Sequence, residues 1–196
     1  MIKIGILGNI GSGKSFISRQ FGYPVFNADK EVNKIYKSDK KCFYKLRKKL
    51  PGYIFSFPIK KSELKKALLA NRKNLLKINK IVHPLVRKKM NKFIKKNFKK
   101  KIIILDVPLL LENKLNKNKY ILIFVEAKKN QIIKRLKLRK NYNANIFKKL
   151  NKFQLGLEGK RKKSNYIIKN DFKKNTAKKS VKVILKKILN KWKKLF

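Results

Sequence analysis

The stretch that decides the fold runs from Ile2 to Ser15 and reads IKIGILGNIGSGKS. Its first six residues form an apolar run typical of a short buried strand. Gly8 to Ser15 then matches the pattern G-x-x-x-x-G-K-[ST], and the following residues have the apolar spacing of a helix. A glycine-rich loop between a strand and a helix lets backbone N–H groups cradle phosphate oxygens at the helix N-terminus. The stretch therefore predicts a phosphate-binding loop in an α/β fold.

Two polar side chains of this loop carry specific chemistry. Lys14 is expected to reach the β- and γ-phosphates of a bound nucleotide, and the Ser15 hydroxyl is expected to ligate Mg²⁺. Four of the eight glycines of the chain lie within residues 5–13, so a merely structural turn is a weak explanation of the pattern. The loop thus predicts a nucleotide ligand and Mg²⁺ as cofactor.

Further apolar runs predict four more strands, at residues 23–28, 102–105, 120–125 and 166–168. Helical spacing of apolar residues covers about 31–100, about 130–158 and the last twenty residues, and Pro84 is expected to open a new helix. Strands that alternate with helices imply a mostly parallel sheet covered on both faces.

We therefore predict a single three-layer α/β domain with a parallel five-stranded sheet. The core would comprise residues 1–30, 101–128 and 160–196. Two helical insertions, at about 31–100 and about 129–158, would form extra lobes.

The composition is extremely basic. The 196 residues include 57 Lys or Arg and 9 Asp or Glu, for a formal net charge of +48. Lysine, which accounts for 50 of the basic residues, is spread over nearly every segment, and Asn is abundant at 20. Because Lys, Asn, Ile and Phe share A/T-rich codons, a biased genome explains this composition as well as a nucleic-acid partner does. No nucleic-acid recognition motif or zinc-ligand spacing accompanies the charge.

Several classes of protein are disfavoured by what the sequence lacks. The longest apolar run, Tyr120 to Val125, is far shorter than the ~20 residues of a membrane span. A strand and a loop occupy the positions of a signal peptide. One cysteine, Cys42, suits a reducing cytoplasm and permits no internal disulfide. We expect a cytoplasmic protein, a monomer, with no membrane or specific nucleic-acid partner.

Two of the few carboxylates follow predicted strands. Asp29 comes just after the second strand and Asp106 just after the third, so both should lie at the carboxyl edge of the sheet, beside the loop. A kinase needs a carboxylate there to accept a proton from the acceptor hydroxyl and acidic groups to hold hydrated Mg²⁺. Helix capping is the alternative role of Asp29, and capping or turn formation that of Asp106. Glu112 is a weaker candidate for the site.

The loop occurs in several protein classes, which other motifs separate. The chain has no Asn-Lys-x-Asp guanine motif of GTPases, and Asp106 lacks the following Glu that is usual in ATPase motors. A small-molecule kinase fits better. A series of elements then resembles the dephospho-CoA kinases, in the same order: Gly8 to Ser15, Asn27-Ala28-Asp29, Val82-His83-Pro84-Leu85-Val86-Arg87, Asp106-Val107-Pro108-Leu109-Leu110-Leu111-Glu112, and Lys160-Arg161 followed by residues 166–170.

The resemblance implies ATP-dependent phosphorylation of the ribose 3′-hydroxyl of dephospho-CoA, the last step of coenzyme A synthesis. It implies that Asp29 is the catalytic base, assisted by Lys14 and Arg139. Metal binding falls to Ser15, with Asp106 through water. The residues implied to bind ATP are Asn9, Gly11, Ser12, Gly13, Lys14, Ser15, Phe16, Arg135, Arg139, Arg161 and Asn170. Those implied to bind the acceptor are Asp29, His83, Arg87, Asp106 and Leu110.

The resemblance also implies that the insertion at about 31–100 is a helical acceptor lobe and that the one at about 129–158 is a helical lid. Arg135 and Arg139 resemble lid arginines over the ATP phosphates, and Arg161 and Asn170 fall where the family approaches the adenine. The chain departs from the family pattern at three positions. Asn9 stands in place of a usual glycine, Phe16 in place of Thr, and Asn27 in place of Asp. Asparagine tolerates left-handed backbone better than most residues, so Asn9 is compatible with a glycine-like conformation. Asn27 leaves Asp29 as the lone carboxylate of its element.

Two alternative functions stay open at this level. A nucleoside or nucleotide kinase would use the same loop and the same carboxylate edge. A nucleic-acid-associated nucleotide-binding protein would instead exploit the +48 charge.

The charge generates a prediction about stability. Positive groups repel one another more in the compact state than in the unfolded chain. Raising the ionic strength from about 0.01 to 0.15 M shortens the Debye length from roughly 30 to 8 Å and screens this repulsion. We expect Tm, measured by calorimetry, to rise over this range. A Tm that falls steadily with added salt would contradict the repulsion.

Overall fold

A five-stranded parallel sheet forms the centre of the protein, seen in a computed structural model that describes residues 1–107, 120–138, 142–145 and 156–193. Its strands are β1 (Ile2–Gly8), β2 (Val25–Asn27), β3 (Ile102–Asp106), β4 (Ile121–Glu126) and β5 (Tyr166–Lys169). They lie in the order β2-β3-β1-β4-β5. The prediction of a parallel sheet with five strands is confirmed.

Helices cover both faces of this sheet. Within the described residues they are α1 (Lys14–Gln20), α2 (Ala28–Ser38), α3 (Lys40–Lys49), α4 (Lys61–Ala70), α5 (Arg72–Lys96), α6 (Lys129–Lys137), α7 (Leu157–Lys162) and α8 (Lys174–Lys193). The three-layer α/β architecture predicted from the alternation of strands and helices is therefore confirmed.

Alternate residues of the strands divide the core into two parts. In β3, Ile102 and Ile104 pack with α1 and α8, whereas Ile103 and Leu105 pack with helices of the α2–α5 lobe. All four side chains are fully buried. A strand that buries both faces needs a continuous apolar run, which explains why β3 was visible in the sequence.

The central position of β1 places the phosphate-binding loop at the middle of the sheet edge. β1 pairs with β3 on one side, where Ile4 is opposite Ile104, and with β4 on the other, where Ile4 is opposite Ile121. The loop after Gly8 is thereby flanked by the carboxyl ends of both neighbouring strands. This is the usual ligand crevice of an open α/β sheet.

The edge strand β2 is shorter than predicted. The sequence indicated residues 23–28, but β2 pairs with β3 only from Val25 to Asn27, with Asn27 opposite Asp106. β2 ends at Asn27 because α2 begins at the next residue. The register brings Asn27 next to Asp106.

The lobe at about 31–100 is helical but contains one long break. Residues 50–60 connect α3 to α4 without a helix. Cys42, the single cysteine, is buried in this lobe, and burial raises the pKa of its thiol to about 11, so it stays protonated at neutral pH. This thiol is a packing group of the lobe.

The expected new helix at Pro84 is a wrong prediction. α5 runs without interruption from Arg72 to Lys96, with Pro84 inside it. Proline removes one backbone hydrogen bond from a helix interior and its ring crowds the preceding turn. On the opposite face, Val82, Val86 and Met90 are buried in the core. We attribute the continuity of α5 to this packing, which outweighs the local cost of Pro84.

The predicted lid at about 129–158 is described only in part. α6 forms its beginning and α7 starts at its end, but residues 139–141 and 146–155 lie outside the described residues. Arg139 is among them. The apolar residues that predict a helix in the last twenty positions include Val181, Ile184 and Ile188, and all three are buried in α8.

The course of α5 generates a prediction. Pro84→Ala restores a backbone donor inside the helix, and Pro84 itself is exposed. We expect the substitution to raise the free energy of unfolding by about 1–3 kcal/mol. Urea denaturation measures it, with Lys88→Ala as the control at an exposed position one turn later. An unchanged or lower stability of Pro84→Ala would show that the proline ring itself is part of the packing.

Candidate active site

The phosphate-binding loop is packed so tightly that its glycines cannot be replaced. Gly11 and Gly13 have φ values of 83° and 90°, in the left-handed region that favours glycine. A Cβ atom at Gly8 would lie 2.5 Å from the carbonyl oxygen of Val125, and one at Gly13 would lie 2.3 Å from Asn170 Nδ2. The loop backbone therefore contacts β4 and the residue after β5 directly. The requirement for glycine is steric as well as conformational.

Asn9 does not use the left-handed conformation that asparagine tolerates. Among the described residues, Phe172 is the one non-glycine with positive φ. The side-chain Oδ1 of Asn9 instead accepts a hydrogen bond from the backbone N–H of Ile10, at 2.7 Å. The departure from glycine at this position thus places no strain on the loop.

Lys14 is the first residue of α1, and its side chain extends back across the loop. Its Nζ donates to the carbonyl oxygens of Asn9, at 2.7 Å, and of Gly8, at 3.2 Å. The side chain is only 9% exposed. The ammonium group is therefore held over the loop by the same backbone that is expected to bind phosphate.

Ser15, Asn27 and Asp106 form a cluster at the edge of the sheet. The Ser15 hydroxyl donates to Asp106 Oδ2 at 2.5 Å, and Asn27 Nδ2 donates to the same oxygen at 2.6 Å. Asn27 Nδ2 also lies 3.2 Å from Ser15 Oγ. Asp106 is 2% exposed, so its carboxylate depends on these donors. The cluster joins the ends of β2 and β3 to the start of α1.

Asn27 also begins the next helix. Its Oδ1 accepts a hydrogen bond from the Lys30 backbone N–H at 2.8 Å, which makes Asn27 the N-cap of α2. The alternative reading of Asp29 as the cap is therefore wrong. Asp29 lies in the first turn of α2, two residues after Asn27, and is exposed. The carboxylate of Asp29 is placed on the helix that Asn27 anchors.

Asn170, the residue after β5, is hydrogen-bonded to the loop. Its side chain is buried, Nδ2 donates to the Ser12 carbonyl oxygen at 2.8 Å, and Oδ1 accepts from the Phe172 backbone N–H at 3.0 Å. The hydroxyl of Ser12 is fully buried and has no hydrogen-bond partner in the described part of the chain. Asn170, predicted near the adenine, thus holds the loop in place with its side-chain amide.

Phe172 is a site residue that the sequence analysis missed. The guanidinium carbon of Arg135, on α6, lies 4.5 Å from the centroid of the Phe172 ring. The ring also borders Gly13, because a Cβ there would lie 3.2 Å from Phe172 Cε1. No motif marks Phe172, since its position depends on a turn that only the fold shows.

A cavity opens between α6, α7 and the end of β4. It has a volume of about 590 Å³ and is lined mainly by apolar residues of β4, α6 and α7. Arg161 stands at this cavity, where its Nε lies 3.4 Å from Glu126 Oε1. Asn9 of the loop forms part of the wall. The cavity therefore communicates with the phosphate-binding loop.

A second, cationic cavity adjoins Ser15 and Asn27. It measures about 270 Å³, and Arg19, Lys30 and Lys34 lie around it. Glu31 is paired with Lys34 at 2.7 Å, so the other two cations dominate the local charge. The cavity adds positive potential beside the loop.

The remaining predicted residues are dispersed or outside the described residues. His83 and Arg87 lie one turn apart on α5, half-buried and exposed respectively. Phe16, on α1, is half-buried and packs against the core on the α8 side of the sheet. Leu110, Glu112 and Arg139 fall outside the described ranges.

The donor set at the cluster suits a hard cation that is shared with a substrate. In the described ranges, no three His, Cys, Asp or Glu side chains gather into a metal site of their own. A serine hydroxyl and one carboxylate fit Mg²⁺, which commonly binds through one or two carboxylates together with substrate phosphates. None of the described helices is long and apolar enough to span a membrane.

Comparison with known proteins identifies relatives along most of the chain. The family model described as dephospho-CoA kinase matches residues 2–176. A dephospho-CoA kinase of Wolbachia pipientis is 36% identical over 170 residues, which cover 84% of this chain and 87% of that protein. A crystal structure from Thermus thermophilus has a TM-score of 0.75 at 24% identity, covering 95% of this chain and 97% of the other. A dephospho-CoA kinase from Campylobacter jejuni has a TM-score of 0.63 at 21% identity, covering 95% and 96%.

The cluster generates a prediction about Asn27. Asn27→Asp replaces a donor by a second carboxylate beside buried Asp106, and the repulsion raises the pKa of one of the two acids. We expect a loss of roughly 1–3 kcal/mol in unfolding free energy at pH 8. Because the folded state then binds more protons than the unfolded state, the loss should shrink as the pH falls towards 5.

Denaturant titration at several pH values measures this effect, with Asn33→Asp as the control on the exposed side of α2. A deficit for Asn27→Asp that is small and independent of pH would contradict the hydrogen bond from Asn27 to Asp106.

Proposed function

The chain belongs to the dephospho-CoA kinase family, and from this premise we propose how its residues perform the reaction. A member of this family transfers a phosphoryl group from ATP to dephospho-CoA in coenzyme A synthesis. The observation that supports our assignment of roles is the cluster of Ser15, Asn27 and Asp106. It unites a hydroxyl and a carboxylate beside the loop, and α2 begins at the same point with Asp29 in its first turn.

The loop binds the phosphates of ATP through its backbone and Lys14. Gly11 and Gly13 allow backbone N–H groups to turn towards one anion, at the N-terminus of α1. Lys14 exchanges its bonds to the Gly8 and Asn9 carbonyl oxygens for phosphate oxygens. Since the ammonium group is already held over the loop, it needs little reorganisation to stabilise the negative charge of the phosphoryl group during transfer.

Ser15 and Asp106 hold Mg²⁺, Ser15 directly and Asp106 through water. When bound, the ion neutralises charge on the β- and γ-phosphates. Asn27 keeps Asp106 oriented towards Ser15 by donating to Oδ2. Because residue 27 carries an amide and no carboxylate, Asp106 supplies the one negative charge among Ser15, Asn27 and Asp106.

Asp29 accepts the proton of the acceptor hydroxyl. It is exposed in the first turn of α2, where the acceptor can reach it, and it lies two residues from the metal-binding cluster. A carboxylate that contacts the hydroxyl raises its nucleophilicity as it attacks the γ-phosphorus in line. Anchoring of α2 through Asn27 fixes the base relative to the phosphates.

The helices α2–α5 form the acceptor lobe, with His83 and Arg87 on one side of α5. Positive charge at Arg19 and Lys30 attracts the diphosphate of dephospho-CoA towards the cluster. Arg139 and Leu110 keep the roles implied by the resemblance, in the lid and the acceptor site. Closure of the lid excludes water and so prevents hydrolysis of ATP.

The protein acts in the cytoplasm as a monomer in this proposal. Of the alternatives, a nucleoside kinase would share the loop, and a nucleic-acid-associated protein would use the net charge. The family match over residues 2–176 favours dephospho-CoA as acceptor over both. A coupled assay of ADP formation with and without dephospho-CoA tests the function directly.

The role of Asp29 generates a prediction. Asp29→Asn keeps the size of the side chain but removes its capacity to accept a proton. We expect kcat to fall by roughly 10²–10⁴, with little change in ATP binding. The control is Asp39→Asn, the same change at the N-cap of α3, where asparagine caps equally well. A normal kcat with weakened ATP binding would make Asp29 a metal or structural residue.

The role of Lys14 generates a second prediction. Lys14→Ala removes a positioned donor from the transferring phosphate and should lower kcat by about 10²–10³. Lys37→Ala, at an exposed position of α2, controls for the change in net charge. Steady-state kinetics and circular dichroism should be measured together. Full turnover in a folded Lys14→Ala variant would exclude the loop as the phosphate site.

A further inference from the structure

The side-chain amide of Asn27 has a fixed orientation in the cluster with Ser15 and Asp106. Its Oδ1 accepts from the Lys30 backbone N–H at 2.8 Å, and this bond caps α2. Its Nδ2 lies 2.6 Å from Asp106 Oδ2 and 3.2 Å from Ser15 Oγ. An amide presents either its oxygen or its NH2 group to a neighbour, and the hydrogen-bond network decides which. Here the cap of α2 decides it, so Ser15 and Asp106 face the NH2 group.

This orientation makes Asn27 unsuitable as a metal ligand. Mg²⁺ takes oxygen ligands, whereas an amide NH2 group acts only as a hydrogen-bond donor. The oxygen of Asn27 that could serve as a ligand is held on the backbone of Lys30. Turning the amide over would remove the cap of α2 and would place two oxygen atoms, Asn27 Oδ1 and Asp106 Oδ2, against each other. Ser15 and Asp106 are therefore the candidate ligands of this cluster.

The NH2 group also competes with a cation for the carboxylate. Asp106 Oδ2 accepts from Ser15 Oγ at 2.5 Å and from Asn27 Nδ2, so this oxygen already has two donors. A cation that approaches it must displace or tolerate their partial positive charges. Mg²⁺ gives up its water reluctantly, and one carboxylate with these donors offers little in exchange.

The surroundings of the cluster disfavour a free cation as well. The cavity that adjoins Ser15 and Asn27 is also lined by Arg19 and Lys30, and the whole chain carries a formal net charge of +48. A positive field repels hydrated Mg²⁺, but it attracts the same ion when ATP holds it, since that complex has a net negative charge. Local hydrogen bonding and the wider field thus act in the same direction.

We propose that Asn27 is a positioning residue that restricts metal binding to the nucleotide-bound protein. Its NH2 group keeps free Mg²⁺ from Ser15 and Asp106, and the phosphates of ATP supply the negative charge that these two residues lack. The inference rests on the proposed metal-binding roles of Ser15 and Asp106. It gives Asn27 a function in the order of binding in addition to its function as the cap of α2.

Water proton relaxation with Mn²⁺ tests this role, because Mn²⁺ on a protein relaxes water faster than free Mn²⁺ or Mn²⁺ on free ATP. Mn²⁺ takes the same kinds of oxygen ligand as Mg²⁺. The variants are Asn27→Ser and Asn27→Asp, both of which keep a good N-cap. Asn27→Ser removes the NH2 group without adding charge, whereas Asn27→Asp adds a carboxylate. Asn33→Asp, at an exposed position of α2, is the control for the added charge.

We expect the unsubstituted protein and Asn33→Asp to enhance relaxation when Mn²⁺ and ATP are added together, but not with Mn²⁺ alone. Asn27→Ser should bind Mn²⁺ alone at least about 3-fold more tightly than the unsubstituted protein, the size of one hydrogen bond that the ion no longer displaces. Asn27→Asp should bind it at least about 10-fold more tightly, because a second charge adds to the attraction. Circular dichroism checks that each variant is folded.

Binding of Mn²⁺ alone by the unsubstituted protein, as tight as in Asn27→Ser, would overturn the role of Asn27. A gain in Asn27→Asp without one in Asn27→Ser would also overturn it, because added charge would then be the cause. The same holds if the unsubstituted protein shows no enhancement with Mn²⁺ and ATP together. Asn27→Ser buries no added charge, so it keeps the test decisive if Asn27→Asp does not fold.

These measurements involve no acceptor and are therefore separate from the test of the proposed function. An unsubstituted protein that shows the nucleotide-dependent enhancement but fails to phosphorylate dephospho-CoA contradicts the proposed function alone.

Discussion

The buried carboxylate of Asp106 is the constraint on which the site depends. A charged group that is 2% exposed needs hydrogen-bond donors, and Ser15 and Asn27 supply them to one oxygen. Because the donors come from α1 and the end of β2, satisfying one carboxylate joins three elements at the edge of the sheet. The same contact orients the hydroxyl and carboxylate that suit a shared metal ion. Asp106 Oδ2 therefore joins the elements of the fold and also orients the side chains of the candidate metal site.

The phosphate-binding loop is held from several sides by the protein itself. Lys14 donates a hydrogen bond to the Asn9 carbonyl oxygen, and Asn170 donates one to the Ser12 carbonyl oxygen. On the side of α6, a Cβ at Gly11 would lie 2.9 Å from Ile132. A loop fixed in this way has its backbone donors in place, so binding of phosphate costs little ordering. Contact between α6 and Gly11 also connects the helix after β4 to the loop.

The high net charge sets the environment in which this site operates. With nine carboxylates against 57 basic residues, the acidic side chains are too few to pair with most of the positive charges. Two of them form ion pairs beside the two cavities. Glu126 contacts Arg161 at the cavity beside α7, and Glu31 contacts Lys34 beside the cationic cavity. Both substrates are anions, so the field that destabilises the compact state also favours their approach. The composition therefore has opposite effects on stability and on encounter with substrates.

The sequence by itself determined the sheet, the loop and the acids at its edge, because apolar runs and a glycine pattern act over a few neighbouring residues. It placed Asp106 on the same edge as Lys14 and Ser15, because parallel strands present their carboxyl ends at one edge of the sheet. It misjudged Pro84, since packing of Val82 and Val86 outweighs a local helix-breaking preference. Only the tertiary structure decided that Asn27 bonds to Asp106 and that Phe172 meets Arg135, because these contacts join residues far apart in the chain. Such contacts depend on strand register and turn geometry, which no short stretch of sequence encodes.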